Sequence, residues 1–206
     1  IKAAIQTNVK KVIAISTDKA VNPINLYGAT KLLSDKLFVN ANNLESNKKI
    51  KFSIVRYGNV IGSRGSVVKL FQEYINKNKK FLQITDKDMT RFFLDIEDGV
   101  NFVFSCFSSM KGGEIYIPKI PSMKITDLAK TIAPHMKHKI IGIRPGEKLH
   151  EVMISEDSAR NTYEIKDRYI IAPEIAEWGF TIPKDYKKVK DSFSYSSNNN
   201  KQWFKD

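Results

Sequence analysis

The sequence predicts an α/β fold: the later part of an open, doubly wound parallel sheet, with a smaller mixed α/β lobe attached. Three observations carry this. Two short continuous apolar runs rich in β-branched residues, "KKVIAIS" and "KFSIVRYGNVIG", read as parallel strands buried on both faces. A segment of helical period follows each run, and strand-helix alternation is the pattern of an α/β sheet. At 206 residues with 42% hydrophobic content, the chain can bury one substantial core and still carry a lobe.

Taken in order, "KKVIAIS" is expected to be a central strand, ending in Ser16-Thr17-Asp18-Lys19. A turn at Asn22-Pro23 leads to a helix from Leu26 to about Asn43, with apolar positions at Leu26, Ala29, Leu33, Leu37 and Ala41 and with Asn25 as cap. "KFSIVRYGNVIG" is the next strand, closing in a glycine-bearing loop, and "VVKLFQEYINK" the next helix. Beyond residue 65 the pattern loosens. "RFFLDIEDGVNFVFSCFSSM" reads as an apolar helix begun at Asp95 or Asp98, "GGEIYIP" as a strand after a glycine turn, and "KITDLAKTIAPH" as a helix begun near Thr126 or Asp127. The asparagine-rich end, "SFSYSSNNNKQWF", is expected to be disordered, unless Trp203 and Phe204 dock it.

Composition excludes several classes. No apolar run reaches the roughly eighteen residues that a membrane helix needs, and the first residues lack the apolar centre of a secretory signal. The single cysteine, Cys106, permits no intrachain disulfide; a reducing compartment fits, with Cys106 as a small core residue. The net charge of +12 comes from lysines scattered in pairs such as Lys10-Lys11, Lys48-Lys49, Lys79-Lys80 and Lys187-Lys188, without an aromatic-studded basic stripe. Arginine, the residue that forks onto phosphates and base edges, occurs only six times. Nucleic acid is therefore not expected as a partner. His135, His138 and His150 have no metal-ligand spacing among them, so no metal is assigned.

Chemistry concentrates around the first strand's end. Tyr27 and Lys31 stand at i and i+4 and share one helix face, so the ammonium favours the phenolate over the phenol. The pair follows a strand whose C-terminal end carries Asp18 and Lys19, and such ends are where open α/β sheets hold ligands. The glycine fingerprint of a dinucleotide-binding strand-turn-helix is not found; "GSRG" at 62–65 has the wrong spacing. Either there is no dinucleotide site, or the chain is the later part of a longer protein.

The stretches "ISTDKAVNPINLYGATK", "VRYGNVIGSRGSV", "MTRFF", "GGEIYIPKIPSMKITDLA" and "GIRPGEKLHEVM" together resemble the extended short-chain dehydrogenase/reductase superfamily. Within it they resemble the soluble inverting UDP-N-acetylglucosamine 4,6-dehydratases of pseudaminic acid biosynthesis, over almost the whole chain. The resemblance implies an N-terminally truncated Rossmann-type fold. Residues 1–65 would be the remainder of the dinucleotide-binding domain, and 66–206 mainly a nucleotide-sugar-binding lobe with segments returning to the sheet. It also implies a cytoplasmic location, homo-oligomers of the complete protein, and NADP as cofactor, with NAD also open.

By the same resemblance, Tyr27 would take the proton of the sugar's 4-hydroxyl during oxidation, with Lys31 tuning it and holding the cofactor. Lys19 would remove the proton on carbon 5 and Asp18 would protonate the departing 6-hydroxyl, while Thr17 bonds the oxygen at carbon 4. To act as a base Lys19 must be neutral, a form favoured by desolvation and by neighbouring cations such as Lys31. Ser16, Asn59, Arg91, Arg144 and Glu147 would hold the substrate, the two arginines on its diphosphate. Lysine at position 19, where retaining dehydratases carry glutamate, points to inversion at carbon 5. Tyrosine at position 27, where membrane-anchored relatives tend to carry methionine, points to the soluble branch. A nucleotide-sugar 4-epimerase or a retaining dehydratase is the enzymatic alternative, and a non-catalytic nucleotide-sugar-binding fragment is the other.

Overall fold

A computed structural model describes residues 1–7, 9–44 and 50–204, and the Lys48-Lys49 pair lies outside them. The elements begin with α1 (Lys2–Gln6), β1 (Lys11–Thr17), α2 (Leu26–Asn40), β2 (Lys51–Tyr57), β3 (Asn59–Val60), α3 (Val67–Asn76), β4 (Phe81–Ile84) and β5 (Thr90–Leu94). They continue with α4 (Ile96–Ser109), β6 (Ile115–Pro118), β7 (Ser122–Lys124), α5 (Ile125–Ile132), β8 (Lys137–Ile140), β9 (Val152–Ile154), β10 (Thr162–Glu164), β11 (Arg168–Ile171) and β12 (Lys187–Lys188). The chain forms two compact units, one of Ile1–Tyr57, Val100–Lys119 and Val152–Tyr195, the other of Gly58–Gly99, Ile120–Glu151 and Ser196–Asp206.

The first unit is built on a sheet of order β1-β2-β6-β11-β10-β12. β1, β2 and β6 run parallel, in register from Lys11 opposite Lys51 to Thr17 opposite Tyr57, and β11 turns antiparallel to β6. β2 is buried on both faces, as its unbroken apolar run predicts. Phe52 points into a cluster with Ala41, Ile50 and α1, whereas Val55, an odd number of residues on, points into one with Phe102, Cys106, Met110 and Tyr116. Truncating the fully buried Phe52 to alanine would cost about 3–5 kcal/mol. Cys106 is itself fully buried, as expected; burial pushes its thiol up to about 12, against the pull of the Arg168 guanidinium 3.0 Å from Sγ.

Two expectations change. β1 is an edge strand among the described residues rather than a central one, and its Ile15 is 42% exposed. The stripe Leu26, Leu33 and Leu37 of α2 faces outward, because the face turned inward is set by Gly28 and Asp35, two helical turns apart. Asp35 Oδ2 receives a hydrogen bond from Arg56 Nη2 at 3.0 Å, with both side chains buried, and Arg56 Nη1 donates to Met153 O of β9 at 2.9 Å. A buried charge pair dictates a helix's rotation more firmly than leucines on its far side, since either ion left unpaired would be expensive.

The second unit has a three-stranded sheet of order β3-β5-β7 and a parallel pair β4-β8, with α3 and α5 packed on a core of Phe71, Leu82, Ile84, Phe93, Ile125 and Ala129. The helix expected to begin at Asp95 or Asp98 starts after Asp95, whose Oδ1 accepts from Glu97 N at 2.9 Å, and the stretch before it, Thr90–Leu94, is a strand buried at every position. Asp95, not Asp98, is the start signal. The C-terminal segment is also corrected, from disordered to docked. Ser122 N donates to Gln202 O at 2.9 Å, Phe204 N to Ser122 O at 3.0 Å, and Asn200 Nδ2 to Ile120 O at 2.8 Å. Its polar residues bond backbone instead of water.

Candidate active site

In the first unit the strand-to-helix connection is built by short local bonds. Thr17 ends β1 and opens a 3-10 turn over Asp18–Ala20, closed by Val21 N donating to Asp18 O at 3.1 Å. Thr17 Oγ1 donates to Asp18 Oδ1 at 2.9 Å, and Lys19 Nζ donates to the same oxygen at 3.0 Å. Asp18 is fully buried, while the Lys19 side chain is 33% exposed. Asp18 Oδ2 and Ser16 Oγ are buried with no hydrogen-bond partner among the described residues. The turn thus holds a carboxylate and an ammonium in contact and leaves one carboxylate oxygen uncommitted.

α2 is pressed directly onto this turn. Asn25 Oδ1 caps it by accepting from Gly28 N at 2.8 Å. A Cβ on Gly28 would lie 2.3 Å from Lys19 O and 2.9 Å from Pro23 Cβ, so only glycine allows the approach. That contact sets Tyr27, 54% exposed, next to the turn that carries Lys19. One turn along α2, Lys31 Nζ donates to Ile15 O of β1 at 2.9 Å. Tyr57, at the end of β2 and in register with Thr17, is a neighbour that the sequence reading missed. Burial first, and the Tyr27 phenol second, push its hydroxyl above the ordinary tyrosine range, so Tyr57 stays protonated beside Tyr27. Its signal was positional: it ends the second of two parallel strands.

The remaining expected residues belong to the second unit. Asn59 stands in β3 opposite Phe93 of β5. Arg91, in β5, is buried, and its guanidinium donates to three carbonyls: Nη1 to Thr90 O at 2.7 Å and Leu149 O at 3.1 Å, Nη2 to Lys148 O at 2.8 Å. It braces the chain that follows Glu147 and keeps one Nη2 hydrogen to offer. Arg144 and Glu147 share a turn closed by Glu147 N donating to Arg144 O at 3.0 Å, with Arg144 Nη1 3.5 Å from Glu147 Oε1. Glu147 Oε2 is buried without a partner among the described residues. His150 Nδ1 lies 2.8 Å from Thr90 Oγ1; burial and the Arg91 charge hold its imidazole below the ordinary histidine value. Among the described residues no three His, Cys, Asp or Glu side chains gather as a metal site, and no helix is long and apolar enough to cross a membrane.

A family model described as polysaccharide biosynthesis protein matches residues 1–173. The chain belongs to this family. It is 60% identical, over 98% of its length, to the UDP-N-acetylglucosamine 4,6-dehydratase (inverting) of Campylobacter jejuni serotype O:23/36, and it spans 63% of that relative. It is 35% identical, over 98% of its length and 61% of the relative's, to a UDP-glucose 4-epimerase of Rickettsia canadensis. Among solved structures, Pen from Bacillus thuringiensis superposes with a TM-score of 0.84 at 33% identity, covering 98% of this chain and 61% of that one. DesIV of Streptomyces venezuelae, a dTDP-glucose 4,6-dehydratase solved with NAD and TYD bound, shares the fold with a TM-score of 0.64 at 17% identity over 72% of this chain and 52% of its own. The family's α/β architecture with a parallel sheet is the one described above.

Proposed function

We propose that this chain serves an NADP-dependent dehydratase that converts UDP-N-acetylglucosamine to a 4-keto-6-deoxy sugar nucleotide with inversion at carbon 5, for surface-glycan synthesis of the pseudaminic acid type in the cytoplasm. The observation that carries the reading is the Asp18-Lys19 pair, with Lys19 Nζ 3.0 Å from Asp18 Oδ1 on a turn packed against the start of the Tyr27 helix. The 60% identical Campylobacter relative supports the substrate and the reaction.

The residues fit a nicotinamide cofactor. Tyr27 is exposed at the C-terminal end of the parallel strands, and Lys31 Nζ, fixed on Ile15 O, keeps two N–H donors for a ribose. The chemistry that the nicotinamide supplies when bound is a hydride taken from carbon 4 and later returned to carbon 6. Tyr27 Oη, as phenolate, accepts the proton of the 4-hydroxyl, and the Lys31 ammonium stabilises that phenolate. The resulting ketone acidifies the proton on carbon 5.

Elimination then needs an amine and a carboxylic acid side by side. Moving one proton along the existing Lys19 Nζ to Asp18 Oδ1 hydrogen bond creates both without changing the net charge. Lys19 takes the carbon 5 proton and becomes ammonium, while Asp18 gives its proton to the 6-hydroxyl, water leaves, and the carboxylate is restored. The pair therefore ends as the ion pair from which it started. Hydride delivered to carbon 6 leaves an enolate that takes a solvent-exchangeable proton at carbon 5 from the face opposite Lys19, which inverts the centre, and the proton held by Tyr27 returns to solvent. Thr17 Oγ1, already on Asp18 Oδ1, orients the acid.

The test is mass spectrometry of the full-length protein's product from UDP-N-acetylglucosamine and NADP. Loss of one water is expected. A product of unchanged mass would favour the epimerase reading, to which the Rickettsia relative points.

A further inference from the structure

The stretch that carries Arg144 and Glu147 runs from residue 141 to 150 without a helix or strand, so its ends must fix its position. At its start, Ile141 N donates to Ile84 O at 2.9 Å. At its end, Arg91 holds the carbonyls of Lys148 and Leu149, and Thr90 N donates to Leu149 O at 3.2 Å. The next residues are held differently. Glu151 N donates to Ser197 Oγ at 3.0 Å, and Ser197 N donates back to Glu151 O at 2.8 Å. Ser197 Oγ lies 2.7 Å from Thr90 Oγ1, which lies 2.8 Å from His150 Nδ1.

Ser197 is fully buried and Thr90 only 2% exposed, so water cannot replace either hydroxyl in this chain of bonds. At its end stands His150, whose neutral form is favoured by burial and by Arg91. Ser197 Oγ accepts the Glu151 N–H and is also 3.2 Å from Thr90 O, so the Ser197 hydroxyl touches both the backbone and the side chain of Thr90. The segment that supplies Ser197 is itself anchored. Asn200 Nδ2 donates to Ile120 O at 2.8 Å and Ser122 Oγ at 3.0 Å, and Trp203 Nε1 donates to Asn200 O at 2.7 Å. A segment distant in sequence thereby fixes the backbone at Glu151, four residues after Glu147, and touches Thr90, whose N–H holds Leu149 O.

We propose that the C-terminal segment Ser196–Phe204, acting through Ser197, Thr90 and His150, is a positioning strap that holds the Arg144–Glu147 turn for a nucleoside diphosphate. The strap touches no reacting atom; it acts through the turn. The proposal rests on the nucleotide-sugar reading above for its ligand class.

The experiment uses full-length protein and measures UDP affinity by calorimetry beside KM and kcat for UDP-N-acetylglucosamine. Thr90→Val keeps the shape and removes the hydroxyl, Thr90→Ser keeps the hydroxyl, and Ser197→Ala cuts the chain from the other side. Thr90→Val and Ser197→Ala are expected to weaken UDP binding and raise KM on the order of tenfold. kcat should stay within about twofold, and Thr90→Ser should bind like wild type. In an Arg144→Ala background, Thr90→Val should add less than about twofold, because the strap works through that turn. Unchanged UDP affinity in folded Thr90→Val, failure of Thr90→Ser to restore binding, or additive losses with Arg144→Ala would each overturn the proposal. If Thr90→Val does not fold, Ser197→Ala makes the same comparison. A wild-type protein that binds UDP but releases no water would sink the dehydratase reading and leave the strap to be judged on affinity alone. One that binds no UDP would sink both.

Discussion

Replacing Lys19 by methionine removes one proton carrier while keeping its stem. Two effects compete, and their sizes differ. Breaking a buried ion pair costs about 3–5 kcal/mol when both partners are enclosed. Asp18 is fully buried, but the Lys19 side chain is 33% exposed, so solvent already screens the pair. A loss of about 1–2 kcal/mol is the discounted figure, a melting shift of roughly 2–8 °C for a chain of this size. Total stability of about 5–15 kcal/mol leaves the variant folded at assay temperature. Under the proposed elimination, chemistry loses more, because removing a general base costs about 10²–10⁴-fold, or roughly 3–5 kcal/mol of barrier. Dehydration of UDP-N-acetylglucosamine, followed as water lost from the product, should therefore collapse while UDP affinity holds within about twofold. Asp18→Asn combined with Lys19→Met should cost little more than either alone if the two exchange a proton as proposed. Turnover within about threefold of wild type would remove Lys19 from the elimination.

Three further outcomes are expected. Gly28→Ala places a Cβ 2.3 Å from Lys19 O, so α2 must shift; a loss of about 1–3 kcal/mol in denaturant titration should accompany a fall in dehydration larger than any fall in UDP affinity. Asp35→Ala leaves the Arg56 guanidinium buried without its carboxylate and should lower stability by about 3–5 kcal/mol, read as a lower urea midpoint with an unchanged slope. His150 has a folded-state value below its ordinary one, so the unfolded chain takes up its proton first as pH falls. Its contribution to stability is complete at about pH 7 and declines toward pH 5; His150→Asn should flatten that part of a melting-temperature profile.

The sequence made the sheet and its helices legible wherever a local signal agreed with packing. β2 is such a case, since a run buried on both faces needs no alternation, and so is Asn25, whose side chain caps α2 within three residues. Thr90–Leu94 is not legible as a strand in the same way, because a short apolar run directly before a helix start merges with the helix's apolar body unless its hydrogen-bond partners in β3 and β7 are known. The exposed leucines of α2 could not be recognised as such, because Asp35 meets Arg56 only after β2 has paired with β1. In the site, the Asp18-Lys19 turn and the Tyr27-Lys31 face are local and could be singled out from spacing. Thr90 and Ser197 are 107 positions apart, and neither carries a motif that announces the other. Polar, asparagine-rich composition points to disorder in the C-terminal segment unless Trp203 and Phe204 dock it, and the segment is docked. Composition could not indicate that the Asn200 side chain bonds the carbonyl of Ile120 and the hydroxyl of Ser122.

The most direct measurement is proton NMR of the full-length protein turning over UDP-N-acetylglucosamine in deuterated water. Removal of the carbon 5 proton by Lys19 and release of water through Asp18 predict a 6-deoxy methyl signal, deuterium at carbon 5 and inverted configuration there. A product that keeps its 6-hydroxyl and its carbon 5 proton would contradict the elimination and leave only the oxidation at Tyr27.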